Sequence, residues 1–293
     1  MTPLKDHGDI TIQKLLDVEP IEMNLFRGQH EGGPTNTRAF GGLVIAQSLA
    51  AAYKTVEGRL CHSLHAYFMR AGDPNMPIIY EVDRARDGGS FTTRRVVAIQ
   101  HGRQIFNMSA SFHVDEEGWD YQHDMPDAPP PEKLRDRMEF HREAMAEDPD
   151  RKERDFLRDR LIEVRDVDPQ HPLRPTPKSD ANLSWIRTAD PLPDDVAVHH
   201  CALAYASDMG LLSSGGRPHG LSWSLGHMMG ASLDHAMWFH GALKIDDWHL
   251  YAMDAPFTGG ARAFNRGSIY TRDGRLAVSV AQEGLMRPIK PKG

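Results

Sequence analysis

The chain has 293 residues, of which 40% are hydrophobic and 26% are charged, and its formal net charge is −7. This length fits one large domain or two small ones, and an acidic chain is a poor nucleic-acid binder because phosphate contacts need a basic surface. The only two cysteines, Cys61 and Cys201, exclude a disulfide framework and favour buried thiols in a reducing compartment. No segment resembles a signal peptide or a membrane helix, so we expect a cytoplasmic protein without membrane insertion.

The first half of the chain predicts one helix followed by a meander of strands. Small and helix-forming residues predict a helix at Phe40–Val56. Strands are predicted at His62–Gly72, Ile78–Gly88 and Ser90–Asp115. The last of these folds over a turn at His101-Gly102, because glycine between two β-rich runs is typical of a hairpin.

The middle of the chain differs in composition from both ends. Residues 116–180 are rich in proline and charge. After Pro129–Pro131 the pattern predicts a charged helix at Glu132–Glu147, and a second short helix at Lys152–Leu161. We interpret this region as a linker with surface helices whose charges face solvent, and we expect no chemistry there.

The second half repeats the order of the first. The predicted elements are a strand at Asn182–Ala189, a helix at His199–Ser214, strands at Ser232–Gly241 and Asp247–Pro256, and a hairpin at Gly260–Arg287 that turns at Asp273-Gly274. The two hairpin turns match at Gly102 and Gly274, and His65–Phe68 likewise matches His235–Trp238. A unit repeated twice indicates a duplicated domain, and each unit is of the α+β class, a long helix wrapped by an antiparallel sheet. The predicted bounds are 1–115, 116–180 for the linker, and 181–293.

Several long motifs, in this order along the chain, resemble the acyl-CoA thioesterase II family, whose members carry two fused hot-dog folds. In the first half they are LFRGQ at Leu25–Gln29, FGGLVIAQSL at Phe40–Leu49, SLHAYFMRAGDPNMPIIYEV at Ser63–Val82 and QHGRQIFNMSASF at Gln100–Phe112. In the second half they are HHCALAYASDMGLL at His199–Leu212, SLDHAMWFH at Ser232–His240 and AQEGLMR at Ala281–Arg287. The linker matches least well. The resemblance implies a tandem, or double, hot-dog fold.

Three catalytic residues are implied by the resemblance. The family's carboxylate lies in a motif like YASD on the helix of the second hot dog, which maps onto Asp208. The hydroxyl residue that opens the LDHAMWFH strand maps onto Ser232, and the glutamine of QEG maps onto Gln282. In the family these groups hold the attacking water, and a carboxylate can accept its proton. Without the resemblance, each would be read as a surface or strand-entry residue.

Substrate contacts are expected from both halves. Gly41 and Gly42 open the first helix, where the backbone can approach a ligand closely, although glycines there also serve packing. An apolar tunnel for the acyl chain would be lined by Phe68, Met69, Met237 and Trp238, residue types that are as often plain core. His65 is a further candidate for substrate contact, and as the counterpart of the inward-facing His235 it also fits a core or interface histidine.

No metal or other cofactor is expected. His235 and His240 face opposite sides of one strand, and His199-His200 has no partner at ligand spacing. The phosphates of CoA would need arginines at the mouth of the pocket, but each candidate is more often a solvated surface charge, so we assign none. The arginines considered are Arg70, Arg84, Arg86, Arg94, Arg95, Arg262 and Arg266.

The resemblance implies an acyl-CoA thioester hydrolase of lipid metabolism that releases a fatty acid and CoA by Asp-directed attack of water. One alternative is a hot-dog hydratase or dehydratase, which pairs an aspartate with a histidine about five residues on; here that position is Ser213. Another is a non-catalytic acyl-CoA-binding protein, which would need no water-holding groups. Acyl-CoA is the expected partner. Because open sheet edges favour association, the two halves are expected to pair with each other, and the resemblance implies further assembly into a homo-oligomer, a dimer or a tetramer.

Overall fold

The computed structural model of the chain describes residues 10–30, 38–148 and 161–289. The elements of the first half are α1 (Ile12–Leu16), β1 (Glu19–Glu22), β2 (Leu25–Gly28), α2 (Gly41–Tyr53), β3 (Leu60–Phe68), β4 (Ile78–Asp87), β5 (Phe91–Gln100) and β6 (Arg103–His113). The middle contributes α3 (Arg137–Met145) and β7 (Ile162–Asp166). The elements of the second half are β8 (Asn182–Thr188), α4 (Val196–Ser207), α5 (Leu211–Gly216), β9 (Met228–Ser232), β10 (Asp234–Phe239), β11 (His249–Gly259), β12 (Arg262–Thr271) and β13 (Leu276–Pro288).

Within these residues the strands form one 13-stranded sheet, in the order β1-β2-β4-β5-β6-β3-β10-β13-β12-β11-β8-β7, with β9 paired to β13. The two halves join through the antiparallel pair β3 and β10, where Leu64 lies opposite Met237. The long helices α2 and α4 pack against each other in the core. Their sequences permit this, because small residues such as Ala46 and Ala204 are fully buried and allow close approach. The prediction of two α+β units, each a helix against an antiparallel sheet, is confirmed.

Both predicted hairpin turns are present. Gly102 and Gly274 have φ of 68° and 92°, a left-handed conformation that glycine adopts without steric cost. The predicted helix at His199–Ser214 is divided in two, because Gly210 has φ of 84° and cannot continue the helix. The first part begins three residues earlier than predicted, after Asp195, whose carboxylate accepts a hydrogen bond from the N–H of Ala197.

The middle of the chain is more structured than the predicted linker. α3 begins after Asp136, whose side chain accepts from two N–H groups of its first turn. β7 was not predicted; it pairs with β8 at the edge of the sheet, with Ile162 and Val164 buried. The helix predicted at Lys152–Leu161 lies, except for its last residue, outside the described residues. Within the described ranges, no helix is both long and apolar enough to cross a membrane.

Candidate active site

A cavity of about 660 Å³ lies where the two halves meet. Gly41, at the start of α2, and Phe68, at the end of β3, line it from the first half. Asp208, at the end of α4, and Ser232, at the end of β9, line it from the second half. Residues distant in sequence therefore converge on one space, which is what a binding or catalytic site requires.

The three residues predicted to be catalytic form one hydrogen-bonded cluster. The Ser232 hydroxyl donates to Asp208 Oδ1 at 2.9 Å. Gln282 Nε2 donates to the same oxygen at 2.6 Å and lies 3.1 Å from Ser232 Oγ. A carboxylate oxygen that accepts two hydrogen bonds is held in one orientation, so Asp208 is fixed by both partners.

The second oxygen of Asp208 faces the N-terminus of α2. A Cβ atom added to Gly41 would lie only 2.7 Å from Asp208 Oδ2. The first hydrogen bond of α2 runs from the N–H of Val44 to the oxygen of Phe40, and Phe40 supplies no side-chain cap. Gly41, Gly42 and Leu43 therefore have no carbonyl one turn earlier to accept from their N–H groups, and such a helix end attracts negative charge.

Gln282 lies behind the cavity rather than in its wall. Its side chain is 1% exposed, and it is not among the residues that line the cavity. Besides Asp208 and Ser232, its Nε2 contacts Nδ1 of His235 at 3.0 Å. The amide nitrogen is thus engaged with protein groups, and it orients the carboxylate from the side away from the cavity.

His235 faces inward, as the alternation along its strand predicted, but its link to the site was not foreseen. Its side chain is fully buried, and Nε2 lies 2.9 Å from Ser207 Oγ. Burial lowers the pKa of His235 to about 4, although the charge of Asp208 opposes that change. The partners of His235 lie on α4 and β13, so the alternation of residues along its own strand could not predict these contacts.

Two of the predicted substrate contacts lie away from the cavity, on the opposite face of the sheet. His65 and Trp238 lie on the outer face of the sheet, where their rings meet edge to face at 5.2 Å, and neither lines the cavity. Trp238 is turned outward because strand residues alternate, and its neighbour Met237 is buried in the core. The alignment of His65 with His235 was therefore out of phase, since one faces solvent and the other the core.

The other predicted contacts divide into lining and packing residues. Gly41, Phe68 and Met69 line the cavity. Gly42 does not: a Cβ there would lie 2.4 Å from the backbone oxygen of Tyr205, so this glycine allows α2 and α4 to pack closely.

The middle of the chain reaches the site, contrary to our expectation. Met138 and Phe140 of α3 line the cavity. Arg137 also lines it and pairs with Asp166 of β7, with side chains that are 24% and 13% exposed rather than solvated. The ion pair with β7 thus helps to hold α3 beside the cavity.

The arginines considered for phosphate binding lie in different environments. Arg94 is 2% exposed, so its assignment to the surface was wrong; it donates to Thr55 and pairs with Asp87. Arg70 lines the cavity, where its guanidinium donates to the backbone oxygen of Gln104. Among the described residues, no group of three or more histidine, cysteine or acidic side chains could hold a metal ion.

Comparison with known proteins gives consistent matches. The family model for acyl-CoA thioesterase matches residues 152–285, and the model for the acyl-CoA thioesterase N-terminal domain matches residues 30–113. Acyl-coenzyme A thioesterase 8 of Rattus norvegicus is 38% identical, over 98% of this chain and 94% of its own. The crystal structure of acyl-CoA thioesterase II TesB2 from Mycobacterium marinum has 42% identity and a TM-score of 0.78, covering 96% of this chain and 100% of that one.

A more distant structure bears on the fold alone. A protein of unknown function with a hot-dog fold from Alicyclobacillus acidocaldarius has 17% identity and a TM-score of 0.76, covering 95% of this chain and 98% of its own. The two-half architecture is thus the hot-dog fold expected from the motifs. The chain belongs to the acyl-CoA thioesterase family of thioester hydrolases.

Proposed function

We propose that the protein hydrolyses acyl-CoA thioesters by attack of a water molecule that Asp208 activates. The observation that carries this proposal is that the two oxygens of the Asp208 carboxylate have different surroundings. Oδ1 accepts from Ser232 and Gln282, whereas Oδ2 accepts no hydrogen bond from the described residues and lies beside Gly41 in the cavity wall. Oδ2 is therefore the atom that is placed to accept a proton from water.

The reaction needs no covalent enzyme intermediate. Asp208 Oδ2 takes one proton from the water while the oxygen of the water forms a bond to the carbonyl carbon of the thioester. The carbonyl oxygen becomes an oxyanion, and its collapse breaks the C–S bond and releases the fatty acid. The thiolate of CoA leaves and takes the proton from Asp208, which returns the carboxylate to its starting state. Holding water beside the carbonyl converts a bimolecular step into an effectively unimolecular one, and general-base catalysis contributes roughly 10²- to 10⁴-fold.

The N-terminus of α2 is the group we assign to the oxyanion. Its first N–H groups, from Gly41 onward, lie next to Asp208 Oδ2, so a carbonyl attacked from that oxygen would have them nearby. Backbone N–H groups at a helix start stabilise developing negative charge without reorganisation. The absence of a side chain at Gly41 lets the substrate and the carboxylate share this space.

Gln282 and Ser232 have distinct roles in this proposal. Ser232 lines the cavity and can contact the water directly. Gln282 is buried behind it, and by donating to Oδ1 it leaves Oδ2 for the water. This differs from the family expectation that all three groups touch the water.

The hydratase alternative finds less support. That chemistry needs a histidine beside the aspartate in the cavity, but both ring nitrogens of His235 are engaged, with Ser207 and Gln282, and the residue is fully buried. A non-catalytic binding protein would not need a carboxylate such as Asp208, with one oxygen placed to contact water.

The experiment that tests the proposal is thiol release from acyl-CoAs of increasing chain length by the native protein and by Asp208→Asn. We expect release by the native protein and a loss of at least about a hundredfold in kcat in the variant, the usual size of a general-base effect. Hydration of enoyl-CoA is measured in parallel. Undiminished turnover in Asp208→Asn would contradict the mechanism, and hydration without thiol release would contradict the activity.

We also propose that the chain forms a homo-oligomer, a dimer or a tetramer, through the outer face of the sheet. At the centre of that face, on β3 and β10, Tyr67 is 62% exposed and Trp238 is 36% exposed. Aromatic residues are enriched in interfaces. Light scattering should give twice or four times the chain mass, and Trp238→Glu should lower it; a native monomer at micromolar concentration would contradict this.

A further inference from the structure

A line of hydrogen bonds leads from Asp208 away from the cavity into the protein interior. Gln282 Nε2 lies 2.6 Å from Asp208 Oδ1 and 3.0 Å from His235 Nδ1. The other ring nitrogen of His235 lies 2.9 Å from the hydroxyl of Ser207, which in turn lies 2.9 Å from the backbone oxygen of Ala204. Gln282, His235 and Ser207 are at most 1% exposed, so solvent does not compete for these bonds.

The inner end of this line determines where the protons lie. The Ser207 hydroxyl donates to the oxygen of Ala204 or to the sulfur of Met237, 3.4 Å away. With its single proton donated there, the Ser207 oxygen can only accept from Nε2–H of His235. With its proton on Nε2, the neutral ring offers the lone pair of Nδ1 to an N–H of Gln282.

The opposite arrangement is excluded by Asp208. A proton on Nδ1 of His235 would require the oxygen of the Gln282 amide in the place of its nitrogen. That oxygen would then lie 2.6 Å from a carboxylate oxygen, and two acceptors at this distance repel. Because burial lowers the pKa of His235 to about 4, the charged ring is not populated at neutral pH either.

We propose that His235 is a positioning residue, which keeps the N–H groups of Gln282 directed toward Asp208 throughout the reaction. The proposal rests on the hydrolytic mechanism given above. While Asp208 is ionised, its charge attracts the amide protons by itself. Once Asp208 has taken a proton from water, that attraction weakens, because hydrogen bonds to charged groups are about twice as strong as neutral ones. Nδ1 of His235 then holds the amide, and Ser207 holds His235.

The tautomer of His235 is the first thing to measure. Nitrogen-15 NMR of protein labelled at histidine, at pH 7, reports which ring nitrogen carries the proton. We expect a proton on Nε2 and none on Nδ1, with the signals assigned by their loss in His235→Asn. A proton on Nδ1, or a charged ring, would overturn the proposal. This measurement does not depend on turnover, so it holds whether or not Asp208 is the base.

Kinetics of two variants test the role itself. In His235→Asn, an amide oxygen stands as many bonds from the backbone as Nδ1 and can accept from Gln282. His235→Leu has a side chain of similar size without an acceptor. We expect His235→Leu to lower kcat roughly 10- to 100-fold, the effect of leaving a buried donor unpaired, with KM nearly unchanged because His235 does not line the cavity. His235→Asn should regain most of that loss; equal losses in both variants, or a loss confined to KM, would overturn the proposal.

His200 provides the matched control. It is 1% exposed and its Nδ1 lies 2.8 Å from the hydroxyl of Tyr53, so it is a buried histidine with no bond to the site. We expect His200→Leu to keep the native kcat; an equal fall in both leucine variants would mean general loosening and would overturn the proposal. If His235→Leu does not fold, the NMR result and the kcat of His235→Asn decide. Native turnover in Asp208→Asn would instead refute the hydrolytic mechanism and leave the tautomer assignment standing.

Discussion

Gly41→Ala adds one methyl group at the point where the two halves of the site meet. The new Cβ would lie 2.7 Å from Asp208 Oδ2 and 3.1 Å from two ring carbons of Phe68. Non-bonded contacts of this kind are most favourable near roughly 3.5 Å, so the carboxylate oxygen must withdraw by somewhat less than about 1 Å. Misplacing a reacting group by that distance costs up to about a hundredfold in rate. We therefore expect kcat to fall roughly 10- to 100-fold.

The same change should leave the stability of the fold nearly intact. Gly41 is not among the glycines with positive φ, so alanine can adopt its backbone conformation. Alanine is favoured over glycine by about 1 kcal/mol within a helix, which offsets the crowding against Phe68. We expect the free energy of unfolding to change by less than about 1 kcal/mol.

The neighbouring glycine serves as the control, because it predicts the opposite result. A Cβ at Gly42 would lie 2.4 Å from the backbone oxygen of Tyr205 and 2.6 Å from a ring carbon of Phe40. A backbone group in the core cannot move away cheaply, so Gly42→Ala should lose about 1–3 kcal/mol of stability by overpacking. Steady-state thiol release and urea unfolding are measured for both variants. Native kcat in Gly41→Ala, or a fall in kcat that only follows a loss of stability, would refute the reasoning.

Two further predictions concern charge. Gln282→Glu places a second carboxylate beside Asp208, 2.6 Å from Oδ1 at the position of Nε2. Because like charges raise the pKa of such a pair, the acidic limb of the pH profile of kcat should move to higher pH. An acidic limb at the same pH as in the native protein would contradict this. His200 and His235 have an ordinary pKa of 6.5 that burial lowers to about 4. Between these values the unfolded chain binds protons that the folded chain does not, so the free energy of unfolding should fall as pH falls through this window, by up to about 3 kcal/mol for each histidine. Urea unfolding at a series of pH values checks this, and a flat profile from pH 6.5 to 4 would count against it.

Local signals in the sequence account for the parts of the fold that were predicted correctly. Each hairpin turn rests on a glycine whose φ is positive, and the pattern around Gly102 and Gly274 shows this directly. The helix at Gly41–Tyr53 follows from a run of small, helix-forming residues. The inward direction of His235 follows from alternation along one strand. In each case the deciding information lies within about ten residues.

Contacts between distant segments account for the errors. β7 was missed because it is a short edge strand in a charged region, and pairing with β8 is what makes it a strand. Arg94 was placed on the surface because an arginine usually is, but Asp87 and Thr55 satisfy it in the interior. His65 was aligned with His235 by matching the segment His65–Phe68 to His235–Trp238. The register shift between Cys61 and Ser63 illustrates why the facing of residues in β3 cannot be counted from sequence alone.

The two halves repeat the central helix but not its polar ends. α4 starts after Asp195, whose carboxylate already accepts from the N–H of Ala197, whereas α2 starts after Phe40, which provides no such cap. At the other ends, α4 finishes with Asp208 as its C-cap, and α2 finishes with Lys54. In the part of the chain that the structure describes, a carboxylate beside an uncapped helix start therefore occurs at one end of the helix pair. At the opposite end, Lys54 takes the place of Asp208, and the carboxylate of Asp195 accepts from an N–H group at the start of α4.

This asymmetry predicts one active site for each chain, although the fold is duplicated. A thioether analogue of acyl-CoA, which cannot be hydrolysed, should bind in calorimetry with a stoichiometry of one per chain. Gly41→Ala should weaken that binding less than it lowers kcat, because the added methyl group displaces the base rather than closing the cavity. Binding of two molecules per chain with similar affinity would mean that the end near Lys54 also holds substrate. The polar groups at the helix ends would then not be what selects the site.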